Sequence, residues 1–210
     1  MLIDLHNHTR HLSMDSGLDL HALLPKAKER GLDGVCLTEH NAVWQNTERL
    51  KEAGERHGIA VFRGMEVNTQ YGHVLVFGLE SFRNSMFNFE ELCKAVESED
   101  GVLVLAHPQW TTMGRPPGPE IIAKHFHGIE VLNGEISSDA SKYVETMAER
   151  YGKFGTGGSD SHSVEAIARC ATLFENVVTT DEEMVAEMRA GRVSAVRLAP
   201  PNSGMERDKR

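Results

Sequence analysis

Short apolar runs alternate with amphipathic stretches along this chain, and that alternation limits its fold more than any other feature. The runs occupy residues 2–5, 34–38, 60–66, 73–79, 102–106, 129–132 and 154–158, followed by 170–174 and 194–198. Segments with helical spacing lie between most of them, at 18–30, 41–57, 89–98, 119–126, 139–151 and 181–190. In the first, Leu20, Leu23, Leu24 and Ala27 repeat at helical intervals, and Gly31 stands where a C-cap is needed. Thr180 and Glu183 spell a capping box ahead of the last helix, which Gly191 ends. Strand–helix alternation predicts a parallel sheet covered by helices. Seven or so units in one domain predict a closed or nearly closed α/β barrel, with an open doubly wound sheet as the alternative. Residues 1–198 form that domain, and 199–210 read as a flexible tail.

Several function classes are disfavoured. The apolar runs are far shorter than the roughly 20 residues of a membrane span. The start, Met1-Leu2-Ile3-Asp4, has no basic segment, so a cytoplasmic protein without a membrane partner is expected. Three scattered cysteines, Cys36, Cys93 and Cys170, offer neither a disulfide framework nor a thiolate zinc site. A net charge of −9 argues against a partner as long as a nucleic-acid polymer. No dinucleotide or P-loop motif is present; "GTGGSDSH" at 155–162 is glycine-rich but lacks the lysine.

The ends of the apolar runs carry the chemistry. "DLHNHT" places His6 and His8, "LTEHN" places Glu39 and His40, and "GMEVN" places Glu66. "GHVLVFGL" opens with His73, "VLAHP" ends in His107, "IEVLNG" holds Glu130 and Asn133, and "GGSDSH" supplies Asp160 and His162. In a parallel barrel the strand C-termini converge on one face, where active sites are built. Residues i and i+2 of a strand share a face, so His6 with His8, and Asp160 with His162, can each aim at one point. Asp15, in the loop "LSMDSG", can join them. The candidate metal ligands are therefore His6, His8, Asp15, His40, Glu66, His73, His107, Asp160 and His162. One tetrahedral site needs about four ligands, so this set suits two or three divalent ions. Imidazole with carboxylate fits zinc, manganese or iron. "HFH" at 125–127 has the same spacing without the strand context; His125 and His127 read as surface residues at a helix end, favoured by its dipole. Asp4, two residues before His6, is expected to orient that ring.

In this order the motifs resemble the polymerase and histidinol phosphatase (PHP) family, over residues 3 to 175 or so. The resemblance implies a distorted, TIM-like (β/α)7 barrel with a trinuclear metal site at the strand C-termini. It implies that His6, His8, Glu66 and Asp160 hold one ion. Glu66 would bridge to a second, completed by His107 and His73, and Asp15, His40 and His162 would hold a third. It also implies metal-dependent phosphoester hydrolysis, with a metal-bound hydroxide as nucleophile and His162 or His40 as assistants. Arg169, in "IARCATLF", matches a recurrent arginine that binds phosphate or pairs with a carboxylate; Arg115, in a lid loop at 109–119, and Arg10 are further substrate-binding candidates. Glu39 stands where the family usually has Asp, which should alter the surroundings of the metals rather than the metals themselves. The expected substrate is a small phosphomonoester or nucleotide. The alternatives are a nuclease acting on short oligonucleotides, a metal-dependent amide or C–N hydrolase, and a non-catalytic metal-binding scaffold.

Overall fold

The computed structural model describes residues 1–108 and 117–199, with the side chain at position 138 excepted. In chain order the elements are β1 (Leu2–Asn7), α1 (Leu20–Glu29), β2 (Gly34–His40), α2 (Thr47–His57), β3 (Ala60–Thr69), β4 (Gly72–Phe77), α3 (Phe89–Ser98) and β5 (Val102–Leu105). There follow α4 (Pro119–His125), β6 (Gly128–Asn133), α5 (Ser138–Arg150), β7 (Phe154–Gly158), β8 (Cys170–Phe174), α6 (Asp181–Arg189) and β9 (Val193–Arg197). Arg115, residues 109–116 of the expected lid loop, and residues 200–210 of the expected tail lie outside the described residues. No helix among the described residues is long and apolar enough to cross a membrane.

All of these strands join one sheet, in the order β7-β6-β5-β4-β3-β2-β1-β8-β9. β1, β2 and β3 run parallel, as do β5, β6 and β7. The parallel expectation fails at three strands. β4 is antiparallel to both β3 and β5, and β8 and β9 form an antiparallel pair beside β1. Only Gln70 and Tyr71 separate β3 from β4, whereas a parallel crossover needs about a dozen residues. The reversal is therefore a hairpin, and it brings the start of β4 to the end of the barrel where the parallel strands finish. His73 opens its strand yet lies at the mouth.

The sheet nearly closes at that mouth. Asn7 and Ser161 form a parallel bridge, the Asp160 N–H donates to the His6 carbonyl at 2.8 Å, and the His8 N–H donates to the Ser161 carbonyl at 3.1 Å. At the other end β8 pairs with β1 through Leu2 and Ile3. The result is a distorted TIM-like barrel. The glycines of 155–162 serve this seam. A Cβ on Gly157 would stand 2.3 Å from the Ala171 carbonyl oxygen, and one on Gly158 would stand 2.4 Å from the His6 Cβ.

Inside the barrel Ile3, Leu5, Phe62, Phe77 and Val104 pack against Met184 and Met188 of α6, which plugs the end opposite the mouth. Asp181, in the first turn of α6, locks the plug by accepting from the Arg63 backbone N–H at 2.9 Å and from its Nε at 2.8 Å. Outside, α1 and α2 cover β1 and β2, and α3, α4 and α5 cover the sheet from β3 to β6. Asp19 caps α1 by accepting from the Ala22 N–H, and Gly31, at φ 86°, follows its end. The expected helix at 41–57 begins only at Thr47, because Asn46 caps it and Asn41 adopts a left-handed conformation at φ 51°. The reading of His127 as a dipole-favoured surface residue also needs correction. Its Nδ1 accepts from the Leu103 N–H at 3.1 Å, and burial, followed by Arg189 and Lys153, lowers its pKa. It acts as a neutral acceptor that extends the β5–β6 pairing.

The seam yields the first prediction. Gly158→Ala forces a methyl group against His6 and Glu130 and should cost about 1–3 kcal/mol in urea denaturation. Unchanged stability would show that the two strand ends are not packed this closely.

Candidate metal centre

The barrel mouth gathers the strand-end side chains expected as ligands from the sequence, five of the histidines around one carboxylate. Glu66 is fully buried near the end of β3. Its Oε1 lies 2.8 Å from His73 Nδ1, 3.0 Å from His107 Nε2 and 3.4 Å from His6 Nε2. Its Oε2 lies 2.9 Å from His40 Nδ1 and 3.5 Å from His8 Nε2. Asp160 faces it across the seam, with Oδ1 at 3.3 Å from His8 Nε2 and 3.5 Å from His6 Nε2. At the rim, Asp15 Oδ2 lies 2.9 Å from His40 Nε2 and 3.4 Å from His162 Nε2. Four overlapping groups have donor atoms close enough to share an ion: His6, His8 and Glu66; His6, His107 and Asp160; Glu66, His73 and His107; and His8, His40 and His162.

The backbone bends to achieve this convergence. The register of β1 against β2 shifts between Asp4 and Asn7. Ile3 and Leu5 can therefore pack in the interior while His6 and His8, of the opposite parity, also turn to the centre. His107 and Asp160 sit at φ 24° and 53°, a region that side-chain-bearing residues rarely adopt and that concentrates at functional sites.

A second layer fixes the rings. Glu130 Oε1 accepts from His6 Nδ1 at 2.9 Å, and its Oε2 accepts from the His107 N–H at 2.9 Å and from Asn133 Nδ2 at 3.0 Å. Asp4, expected to orient the His6 ring, instead holds backbone. Its Oδ1 accepts from the N–H groups of His6 at 3.2 Å and Ser159 at 2.9 Å. His8 Nδ1 pairs with Ser13 Oγ at 3.3 Å. When these rings are neutral and Nδ1 keeps its proton, Nε2 carries the lone pair and points at the cluster.

Sequence reasoning underrated Glu39. It is fully buried and accepts from Trp44 Nε1 at 2.8 Å, from the Thr9 N–H at 2.9 Å, from Thr9 Oγ1 at 2.5 Å and from Ser13 Oγ at 2.6 Å. This carboxylate folds the loop that carries Asp15. The available signal was parity: Glu39 precedes His40 and so faces away from the centre. Among the arginines, Arg10 pairs with Asp19 at 2.6 Å and Arg169 with Glu135 at 2.5 Å, each at the surface. His11 stacks on Trp44 at 4.6 Å between ring centroids and does not join the cluster.

The donor set fits divalent cations. His6 Nε2 and His8 Nε2 are buried and have no hydrogen-bond partner among the described residues, while His40 Nδ1 and Glu66 Oε2 face one another at 2.9 Å. Unpaired buried polar atoms are costly and need an explanation. Two ligands each about 2.1 Å from one tetrahedral ion stand roughly 3.4 Å apart, which is the spacing of His6 and His8 from Glu66 and Asp160. The titration behaviour agrees. Burial opposes charge on His6, yet Asp160, Glu130 and Glu66 outweigh it and raise its pKa well above the usual value. Burial likewise opposes charge on His40, but Glu66 and then Asp15 push it up to about 9. Burial keeps His8 low. Burial would raise Glu66, but the surrounding imidazoles, His6 foremost, hold it well below the carboxylate range.

Known proteins share this architecture. The PHP domain model matches residues 4–178. PsfC from Pseudomonas syringae superposes with a TM-score of 0.73 at 23% identity, covering 94% of this chain and 91% of its own. An amidohydrolase from Chromobacterium violaceum gives 0.66 at 18% identity, with 94% and 98% covered. A candidate metal-dependent phosphoesterase from Bifidobacterium adolescentis gives 0.65 at 19% identity, with 90% and 96% covered.

Two predictions follow from the geometry. Glu130→Gln removes the charged partner of His6 Nδ1 and should weaken metal binding about 10–100-fold in a chelator competition; unchanged affinity would show that Glu130 does not set the ring. Metal uptake must also displace the protons that the raised pKa values keep on His6 and His40. Uptake at neutral pH should then release protons, and affinity should rise with pH up to about 9. Calorimetry in buffers of different protonation enthalpy reads this release, and uptake without it would contradict the electrostatics.

Proposed function

Because the chain belongs to the PHP domain family, we propose that it is a metal-dependent phosphoesterase acting on a small phosphorylated substrate. The observation that carries the reading is the placement of Glu66 among five imidazoles. One oxygen faces His6, His73 and His107, and the other faces His8 and His40. A buried carboxylate so placed is suited to bridge two cations. In this proposal His6, His8, Glu66 and Asp160 hold one ion, and Glu66, His73 and His107 hold a second. Asp15, His40 and His162 hold a third. Zinc, manganese and iron all suit these donors.

When bound, such ions attract phosphoryl oxygens and acidify water, which is the chemistry that phosphoester hydrolysis requires. The chain's own residues prepare the site. Glu130 and Ser13 fix the rings of His6 and His8 with Nε2 free. Asn133 Nδ2 lies 3.4 Å from Asp160 Oδ2 and steadies that carboxylate. Glu39 holds the loop from Thr9 to Ser13, and so places Asp15 at the rim. His40 and His162 present the rim imidazoles, at 24% and 32% side-chain exposure, and therefore lie nearest an entering substrate. Their Nε2 atoms both face Asp15. We therefore assign the leaving group's proton to solvent rather than to either ring. Arg169, engaged by Glu135, is placed here as a rim ion pair.

Phosphate esters are preferred over amides because the number of clustered ligands exceeds the needs of one or two ions. A mononucleotide or other small ester is preferred over a long polymer because of the net charge of −9. The test is a panel of aryl phosphate mono- and diesters and aryl amides, run on protein reconstituted with each metal. Phosphate-ester turnover should appear with metal, vanish on chelation, and be lost in His6→Ala and Asp160→Ala. Chelator-resistant turnover, or amide cleavage alone, would overturn the reading.

A further inference from the structure

One surface departs from the charge of the rest. The protein carries a formal charge of −9. Yet a cleft of ≈ 490 Å³ between the start of α1 and one face of α2 is lined by Arg10, Arg49, Arg56, His11 and His21, against one carboxylate, Asp19. Arg49, Ala53 and Arg56 recur at i, i+4 and i+7 and so share a face of α2. The two arginines are about 10 Å apart along the helix axis, and Ala53 between them leaves room for a ligand.

The cleft adjoins the metal centre. Arg10 is two residues beyond His8, no more than roughly 7 Å of chain. The Thr9 N–H and the indole N–H of buried Trp44 both donate to Glu39, so the cleft and the loop bearing Asp15 are anchored on one carboxylate. Arg49 lies over the Trp44 ring, with its guanidinium carbon 5.9 Å from the ring centroid, and His11 stacks against the same indole at 4.6 Å. Among the described residues Arg10 pairs with Asp19 and Arg56 with Glu52, whereas Arg49 has no carboxylate within ion-pair distance. A guanidinium held on an aromatic face with its donors free suits a phosphate oxyanion.

We propose that this arginine-lined cleft binds a phosphate group, either the distal phosphate of a substrate whose scissile phosphate lies at the metal centre or a free phosphate acting as an effector. The first source rests on the phosphoesterase reading, whereas phosphate binding at the cleft does not.

The test titrates inorganic phosphate into the full chain by calorimetry, as purified and again after chelation, with far-UV circular dichroism confirming the fold. A saturable, chelator-insensitive event is expected. Arg49→Ala and Arg56→Ala should each weaken it by at least about tenfold, the loss of a charge-assisted hydrogen bond. Lys51→Ala removes the same charge from the same helix but lines a different cleft, and should leave it unchanged. Absence of the chelator-insensitive event, or equal weakening by Lys51→Ala, overturns the proposal. The source is read on metal-loaded enzyme. A kcat/KM for an aryl bisphosphate that falls about tenfold relative to the monophosphate in Arg49→Ala supports the distal phosphate. A rate response to added phosphate that disappears in Arg49→Ala supports the effector. If neither ester is hydrolysed, the calorimetric result still decides the cleft.

Discussion

A carboxylate with no exposed surface, ringed by imidazoles, is the constraint around which this molecule is arranged. Glu66 lies within 3.5 Å of nitrogens from His6, His8, His40, His73 and His107, which are supplied by four different strands, β1, β2, β4 and β5. A buried charge is tolerated only when paired. Imidazolium protons can serve that purpose, as the raised pKa values of His6 and His40 show. His6 and His8 nevertheless stand 3.3–3.5 Å from Glu66 and Asp160, long for hydrogen bonds and close to the spacing of two ligands on one divalent cation.

Much of the barrel's irregularity is explained by this demand. A regular parallel barrel would place at most one or two inward residues per strand near the mouth. Here the hairpin from β3 to β4 turns His73 into the same space, and the register shift in β1 lets His6 and His8 face inward above Ile3 and Leu5. The glycines at 157 and 158 let the last parallel strand approach β1 and β8 closely enough for Asp160 to face Glu66. The rigid end, plugged by α6 and locked by Arg63 and Asp181, lies opposite, so the strain at His107 and Asp160 is held by a well-packed base. The charge-lined cleft along α2 shares Glu39 with the mouth, which ties a surface feature to the same buried organisation.

The strand ends were legible in the sequence because the period of two and the recurrence of His or acid at each apolar run are local patterns. Helix limits were legible where a cap residue sits in the chain, as Asp19, Gly31 and Thr180 do. The helix expected at 41–57 was too long because Asn41 takes its conformation from a contact with Asn68, which periodicity does not reveal. The reversal of β4 was implicit in the two residues between β3 and β4 but was hidden by reading every run as parallel. Asp4 was assigned to the His6 ring by parity. The register shift breaks that parity, and the ring's partner, Glu130, stands 124 positions away. The roles of Glu39, Trp44 and Ser13 likewise depend on a folded loop rather than on spacing along a strand.

The central proposal is that Glu66 joins neighbouring cations in one polynuclear centre. Anomalous diffraction from crystals of the metal-reconstituted protein tests it most directly. The account predicts at least two metal peaks per chain, each within coordination distance of Glu66. A single peak, or peaks that Glu66 does not touch, would contradict it.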